Sequence, residues 1–534
     1  MNIIILFFIS SVLIFGQSTD LIKLGSSYRI YPGTVHQTEP FIAKDPSDPL
    51  HFFASANTTQ ITPFFISEGV YSSTDRGVTW RGNDTCTGPN ITFHGGDPGI
   101  AIDDSGRYVL VRIGRAPVYG LYSHTSNDRG LTWTVQKQIS DHDLERATVM
   151  SDNNPSSPYY GRVYAAWVRF APPFPVYISY TDDAGASWSA PLQVNNPPQR
   201  CAGPDLAIRN DGTVYLTWAG VTNTSPFQEI RTGFAVSSNG GASWSVTENA
   251  FAVNGITGSL PQKQNIRVNG YPRIGVDNSG GPYDGRLYIL TTQRGLAPAG
   301  SDADLILTRS TDGGLSWGSP VRVNADPLNN GKTQYFPAMD IDDNGGVNLL
   351  WYDDRETTND STDVYMARSL NGGENFNEVK ISEKPFKPEP IGSLGQGYQG
   401  DNIALISSGN YLIPLWMENS SGKYQIRTAQ IQIITSSAEE AAALPAVFEL
   451  LQNYPNPFNP ETILQFRIQS AGMVKMRVYT LNGELAAEPV SGYLAEGEYQ
   501  VSFNPQEYGL GSGIYFYSLE SGNQRVTRGM VYTK

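Results

Sequence analysis

Apolar residues along this chain come in short runs, broken every few positions by Gly, Pro, Asp or Asn. The runs 108–113, 347–351 and 411–416 are representative. They are too short for helices, lack a period of 3.6, and are rich in the aromatic and β-branched residues that favour strands. Each follows a copy of one pattern, Pro-x-apolar-x-x-Asp and a small turn. Seven copies begin near Pro40, Pro98, Ala147, Pro204, Pro272, Pro337 and Asn402, with those at Ala147, Pro204 and Asn402 looser than the rest. Pro98-Gly-Ile-Ala-Ile-Asp103-Asp-Ser-Gly106 and Pro337-Ala-Met-Asp-Ile-Asp342-Asp-Asn-Gly345 are the clearest. The pattern predicts a hairpin of strand, tight turn and strand. An all-β main body follows.

A second motif recurs six times, downstream of the hairpins. Its full copies are Ser73-Thr-Asp75-Arg-Gly77-Val-Thr79-Trp80, Ser126-Asn-Asp128-Arg-Gly130-Leu-Thr132-Trp133, Thr181-Asp-Asp183-Ala-Gly185-Ala-Ser187-Trp188 and Ser310-Thr-Asp312-Gly-Gly314-Leu-Ser316-Trp317. Asn239 replaces the acid in a fifth copy ending at Trp244, and Asn371 in a sixth, degenerate one ending at Phe376. The chemistry is that of a turn. Asp or Asn bonds its own backbone, Gly takes positive φ, the hydroxyls satisfy turn amides and Trp packs the turn on the sheet. The aromatic returns at intervals of 53–73 residues. These residues resemble the Asp-box, or BNR repeat, of the sialidase superfamily. The resemblance implies a structural role for Asp75, Asp128, Asp183, Asn239, Asp312 and Asn371 at the periphery, away from any active site.

Hairpin, third strand, box and fourth strand make one propeller blade. The count is seven blades, with six as the alternative, since sialidases themselves have six. The seventh unit, at 403–406, 411–416 and 424–430, has no box. Its fourth strand is expected from the N-terminus, where 21–30 resembles post-box segments. After Gln432 the pattern stops, and Leu450-Leu-Gln-Asn-Tyr454-Pro-Asn-Pro-Phe458-Asn-Pro-Glu-Thr462 follows. This run, with Gly513-Ile-Tyr515-Phe-Tyr517 and a basic C-terminal segment, resembles the type A C-terminal sorting domain of type IX secretion. The expected layout is a signal peptide at 1–17, a sialidase-like propeller at 20–433, a linker at 434–449 and a small Ig-like β-sandwich at 450–534. The sandwich strands are expected at 463–468, 474–479, 498–503, 513–519 and 526–532. The sorting resemblance implies the type IX machinery as a partner and a secreted or cell-surface location.

Composition narrows the partners. A net charge of −14 and a pI near 4.9 repel phosphate backbones, so nucleic acid is not expected. The apolar run 3–15 fits a secretory h-region, although its n-region is only Met1-Asn2. No later run is long enough to span a bilayer, and a monomer is expected. Cys86 and Cys201 either form one disulfide or stay as free buried thiols. The five His show no metal spacing.

Candidate chemistry falls where strand-end loops would gather at one face of a propeller. The longest of these loops are 81–96, 251–270, 294–304, 353–363 and 383–400. Glu39, Asp97, Asp205 and Asp401, with Glu145 nearby, stand at the upper ends of the innermost strands. Such a ring either binds Ca²⁺ or caps strand ends. Asp353, Asp354, Asp360 and Asp363, beside Arg355, form a second acidic group that suits Ca²⁺ or a glycan, or pairs internally. The resemblance to sialidases implies three arginines on a carboxylate, a Tyr nucleophile paired with Glu, and an acid/base Asp. Tyr28-Arg29-Ile30-Tyr31-Pro32 comes close to the family's first arginine motif but is interrupted by Tyr31. Arg273, Arg294, Arg355 and Asp97 are the catalytic candidates, and no complete set is assignable. The expected function is binding of a glycan or surface protein. A sialidase-type exo-glycoside hydrolase and a non-catalytic adhesion scaffold are the alternatives.

Overall fold

The computed structural model describes residues 19–86, 94–358, 360–435, 448–468, 471–481, 483–521 and 524–533. The expected signal peptide at 1–17 and most of the expected linker lie outside the described residues. Apart from three short 3-10 turns, the described secondary structure is entirely β. No helix among the described residues is long and apolar enough to cross a membrane. The chain separates into two compact units between Thr435 and Ser436.

The first unit contains seven four-stranded antiparallel sheets among the described residues. Their first strands are His36–Lys44, Gly99–Ile102, Thr148–Ser151, Cys201–Ile208, Arg273–Val276, Gln334–Ile341 and Ala404–Ser408. Each first strand touches the first strand of the next sheet, and Ala404–Ser408 returns to His36–Lys44, so the contacts close a ring. Within a sheet the strands follow chain order outward. The last sheet alone takes its outermost strand from elsewhere: Thr19–Arg29 pairs antiparallel with Gln425–Thr435. Second strands carry the largest buried rings, including Trp167, Trp218, Trp351 and Trp416.

The boxes close the turns between third and fourth strands. In the first, Asp75 Oδ1 accepts from the Thr79 amide at 2.9 Å and Oδ2 from the Thr79 hydroxyl at 2.6 Å. The Ser73 hydroxyl accepts from the Gly77 amide at 2.8 Å. Asp128, Asp183, Asp312, Asn239 and Asn371 repeat the backbone contact. Hydroxyl and amide donors to Asp128 pull its carboxyl down to about 2, because they favour the charged form.

Three boundaries differ from the sequence reading. The span 81–96 begins with a fourth strand, Arg81–Asn83. The span 251–270 starts inside strand Ser245–Ala252 and contains a small hairpin, Gly258–Leu260 with Ile266–Val268, that belongs to none of the seven sheets. Ile434 and Thr435, expected in the linker, continue a strand that is held by Thr19–Arg29.

The second unit has two antiparallel sheets around one core. Phe448–Leu450, Thr462–Ile468 and Gly497–Phe503 form one sheet; Leu485–Leu494, Gly472–Thr480, Gly513–Ser521 and Gln524–Tyr532 form the other. The strands Phe448–Leu450 and Leu485–Leu494 were not anticipated. The Asn-Tyr-Pro-Asn-Pro-Phe run folds onto this core: the Asn453 amide donates to Tyr517 Oη at 2.7 Å, and Phe458 packs on Tyr532 at 5.3 Å.

Candidate functional site

Four inner-strand entries share a backbone device. Glu39 and Asp97, each followed by proline, have φ of 56° and 53°. Gly203 before Pro204 and Phe336 before Pro337 take φ of 53° as well. Register breaks accompany Glu39, Gly203 and Phe336, as they do at a β-bulge. A bulge re-aims side chains, and an unusual φ in a non-glycine residue persists only where its surroundings fix it. Asn57 fixes Asp97: its carbonyl oxygen accepts the Asp97 amide at 2.5 Å, and its NH₂ donates to Asp97 Oδ1 at 2.9 Å.

The device brings Glu39 and Asp97 together with Glu145 and Asp401. Tyr398 donates its hydroxyl to Glu39 Oε1 at 2.9 Å and lies 3.1 Å from the Thr38 hydroxyl. Arg267 forms a bidentate pair with Asp401, with Nε donating to Oδ1 at 3.0 Å and Nη2 to Oδ2. Arg146 sits 3.7 Å from Glu39 and also donates to the Asn402 side chain. Burial dominates the electrostatics. It pushes Glu39 up to about 8 and Glu145 up to about 7, with Asp401 and Asp97 adding repulsion and Arg146 and Arg267 opposing. Asp97 is raised by burial too. Tyr398 is held well above its ordinary value by burial and by Glu39, so it remains a hydrogen-bond donor.

Beside this cluster opens a cavity of about 510 Å³. Glu39, Glu145 and Asp401 line it, and so do Arg146, Arg200 and Arg267. The hairpin 258–268 roofs one side. Its two feet are clamped by the buried Glu229 carboxylate, which accepts from the Thr257 amide at 2.9 Å and the Gly270 amide at 2.8 Å. Its tip is held by Lys263, paired with Asp354 at 2.8 Å. At the other end Arg200 lies 4.4 Å from the Phe174 ring centre, 4.5 Å from Phe227 and 5.0 Å from Phe170. Two of those rings, Phe170 and Phe227, line the cavity as well. Below about pH 7, where Glu39 and Glu145 are mostly protonated, three guanidiniums face one remaining carboxylate, and the cavity favours an anion.

The structure brings together the strand-end acids Glu39, Asp97, Glu145 and Asp401. Asp205 is linked to them through Arg146 and Arg273, and its Oδ2 accepts from the Ile274 amide at 3.0 Å. Arg273, Arg294 and Arg355 do not converge. Arg273 is pulled down to about 10 by burial and donates to the Pro337 carbonyl at 3.1 Å. Arg294 is exposed, and its carbonyl accepts from Asn254. Arg355 is locked to Asp353 at 2.7 Å and to Glu378, over the Tyr365 ring. The converging arginines, Arg146, Arg200 and Arg267, were not singled out. The one signal they carry is position: Arg146 adjoins Glu145, Arg200 opens an inner strand, and Arg267 lies in the longest insertion.

The residues present do not fit Ca²⁺. Asp353 is spent on Arg355 and on the Trp351 indole at 2.7 Å, Asp354 on Lys263, Asp360 on Lys387 at 2.7 Å, and Asp363 on the Ser382 hydroxyl at 2.7 Å. No group of three or more His, Cys, Asp or Glu among the described residues is placed to hold a metal. Cys86 and Cys201 are free and buried, and burial pushes the Cys201 thiol up to about 12.

Residues 33–252 match the model of the BNR repeat-like domain. No curated protein matches the chain. Among solved structures, a protein of unknown function from Dyadobacter fermentans is similar over 78% of this chain and 99% of its own, at 13% identity and a TM-score of 0.44. An ulvan lyase of a new polysaccharide lyase family, bound to a GlcA(1-4)Rha3S unit, is similar over 76% of this chain and 97% of its own, at 12% identity and a TM-score of 0.48. A sialidase from Streptococcus pneumoniae is similar over 63% of this chain and 68% of its own, at 11% identity and a TM-score of 0.41.

Proposed function

We propose that this chain is an exported seven-bladed propeller that binds a carboxylated glycan in the 510 Å³ cavity. One observation carries the reading: three arginines and two carboxyls lifted to about 8 and 7 line a single cavity flanked by phenylalanine rings. Guanidiniums recognise a carboxylate, polar groups fix ring hydroxyls, and aromatic faces receive apolar sugar faces. A second reading, sialidase-type hydrolysis, is favoured by the Tyr398–Glu39 hydrogen bond, a Tyr–Glu pair that spacing alone did not reveal.

One experiment separates the two. The purified chain is placed on a glycan array and then incubated with a fluorogenic sialoside. Binding to carboxylated glycans without turnover is expected, with affinity falling at least about tenfold in Arg200→Ala or Arg267→Gln. Turnover that vanishes in Tyr398→Phe establishes the hydrolase instead, and an array without hits overturns the glycan reading in favour of a protein-binding scaffold.

Export rests on the tail. Its motif resembles a type IX sorting domain, and residues 448–533 enclose a core of their own. We read this unit as an Ig-like sorting module and the mature protein as a secreted or surface-held monomer.

A further inference from the structure

A second cavity, of about 220 Å³, lies between the outer strands of the first sheet and the box of the second. Arg81, the first residue of strand Arg81–Asn83, lines it, as does Arg129 from the turn of the second box. Both side chains are exposed, and among the described residues no carboxylate pairs with either. Two comparable arginines on this unit are occupied. Arg162 pairs with Asp182 at 2.6 Å, and Arg76, the counterpart of Arg129 in the first box, lies 4.5 Å over the Tyr411 ring. Arg81 and Arg129 also act on one point: both oppose the rise that burial imposes on the Tyr108 hydroxyl, and Tyr108 lines the same cavity.

An independent observation concerns Trp133, whose ring lines this cavity. In the boxes ending at Trp80 and Trp244 the indole N–H donates to a box carbonyl, Trp80 to Gly77 at 3.0 Å and Trp244 to Gly241 at 3.2 Å. Trp188 donates to the Ser123 hydroxyl at 2.8 Å. Trp133 is only 4% exposed, yet its Nε1 has no acceptor. Trp317 shares this deficit but lines neither cavity. Trp167 and Trp218 share it too, away from both cavities, so what points to an anionic oxygen is the two unpaired guanidiniums on one cavity.

We propose that this inter-sheet cavity binds a small oxyanion, a sulfate or carboxylate group carried on a single sugar ring, with Arg81 and Arg129 pairing the anion beside the Trp133 ring. The cavity is smaller than the roughly 300–1,000 Å³ that encloses a whole drug-sized ligand, so one ring with its substituent fills it. The Tyr71 and Trp133 faces form the apolar wall such a ring packs on. The site is separate from the arginine-lined cavity and holds or fails independently of the function proposed above.

The test is an indole ¹H–¹⁵N NMR titration of the full chain at constant ionic strength, with chloride as the reference anion and the Trp133 resonance assigned from Trp133→Phe. Sodium sulfate, glucose 6-sulfate and glucuronate are added in turn. A saturable shift at Trp133 is expected, weakened at least about tenfold in Arg81→Gln/Arg129→Gln, whose exposed positions leave the fold intact by thermal melt. Tighter binding of glucose 6-sulfate than of sulfate assigns the site to sulfated sugars, preference for glucuronate assigns it to carboxylated ones, and equal binding of all three assigns it to the free anion. The absence of a saturable shift with every ligand, or an unchanged shift in the double variant, overturns the site.

Discussion

Glu39 occupies a backbone conformation that a residue before proline rarely adopts, and its carboxyl is buried among other charges. The groups facing it are Asp97, Asp401, Arg146, Arg267, Arg273 and the Tyr398 hydroxyl. Repulsion and burial together lift its pKa from an ordinary 4.5 to about 8, and that of Glu145 to about 7. Both groups therefore bind protons more tightly in the folded chain than in the unfolded one. Their contribution to stability is complete below the unfolded value and is lost as pH rises through about 7 to 8. Glu39→Gln is expected to flatten the decline in urea midpoint between pH 5 and pH 8. An unchanged profile would show that Glu39 is already ionised when folded. The same protons set the charge of the cavity, so binding of an anionic glycan should weaken over that range in the natural chain. The acids were visible in the sequence because each stands at or near the entry of an inner strand. The arginines were not, since a long side chain on an insertion reaches a place that strand periodicity does not specify.

Elements differ in how far their sequence reveals them. The box turns were legible because their chemistry is local: an acid, a glycine at positive φ and a hydroxyl within eight residues. Gly313 and Gly314 allow that reading to be measured. Both have positive φ, at 71° and 88°, but a Cβ on Gly313 meets nothing within 4 Å, whereas one on Gly314 would lie 2.2 Å from Phe234 Cε1. Gly313→Ala should cost only the left-handed penalty, about 1–2 kcal/mol. Gly314→Ala should add overpacking of about 1–3 kcal/mol. Urea denaturation reads the difference, and equal losses would mean that Phe234 moves aside freely. The hairpin 258–268 was not legible. Its strands are three residues each, too short for alternation to register, and its shape depends on Glu229 and on the buried Lys263–Asp354 pair, both distant in sequence. Leu485–Leu494 escaped for a related reason: its burial does not alternate cleanly, since only Ala487 is fully buried.

At the scale of the whole molecule, the ring is closed by its own ends. Thr19–Arg29 pairs with Gln425–Thr435 across some four hundred residues, completing a sheet whose unit lacks a box. That pairing was anticipated from the missing strand and removes an otherwise open edge. Closure also fixes where the first unit stops, because the last strand of the ring runs through Thr435. Beyond it, the second unit buries Leu464, Phe466, Val474, Met476, Tyr517 and Met530 in a core that shares no residue with those of the ring. Each unit thus has the apolar core that independent folding requires. A chain ending at Thr435 should keep the melting temperature of the ring and its glycan affinity but lose export. Residues 448–534, fused to a periplasmic fluorescent reporter in a host with type IX secretion, should carry that reporter across the outer membrane. Fractionation of such cells decides the matter. A reporter retained in the periplasm while the full chain reaches the medium would assign export to the ring, and a truncated chain still exported would leave the tail some other task, such as binding a surface partner.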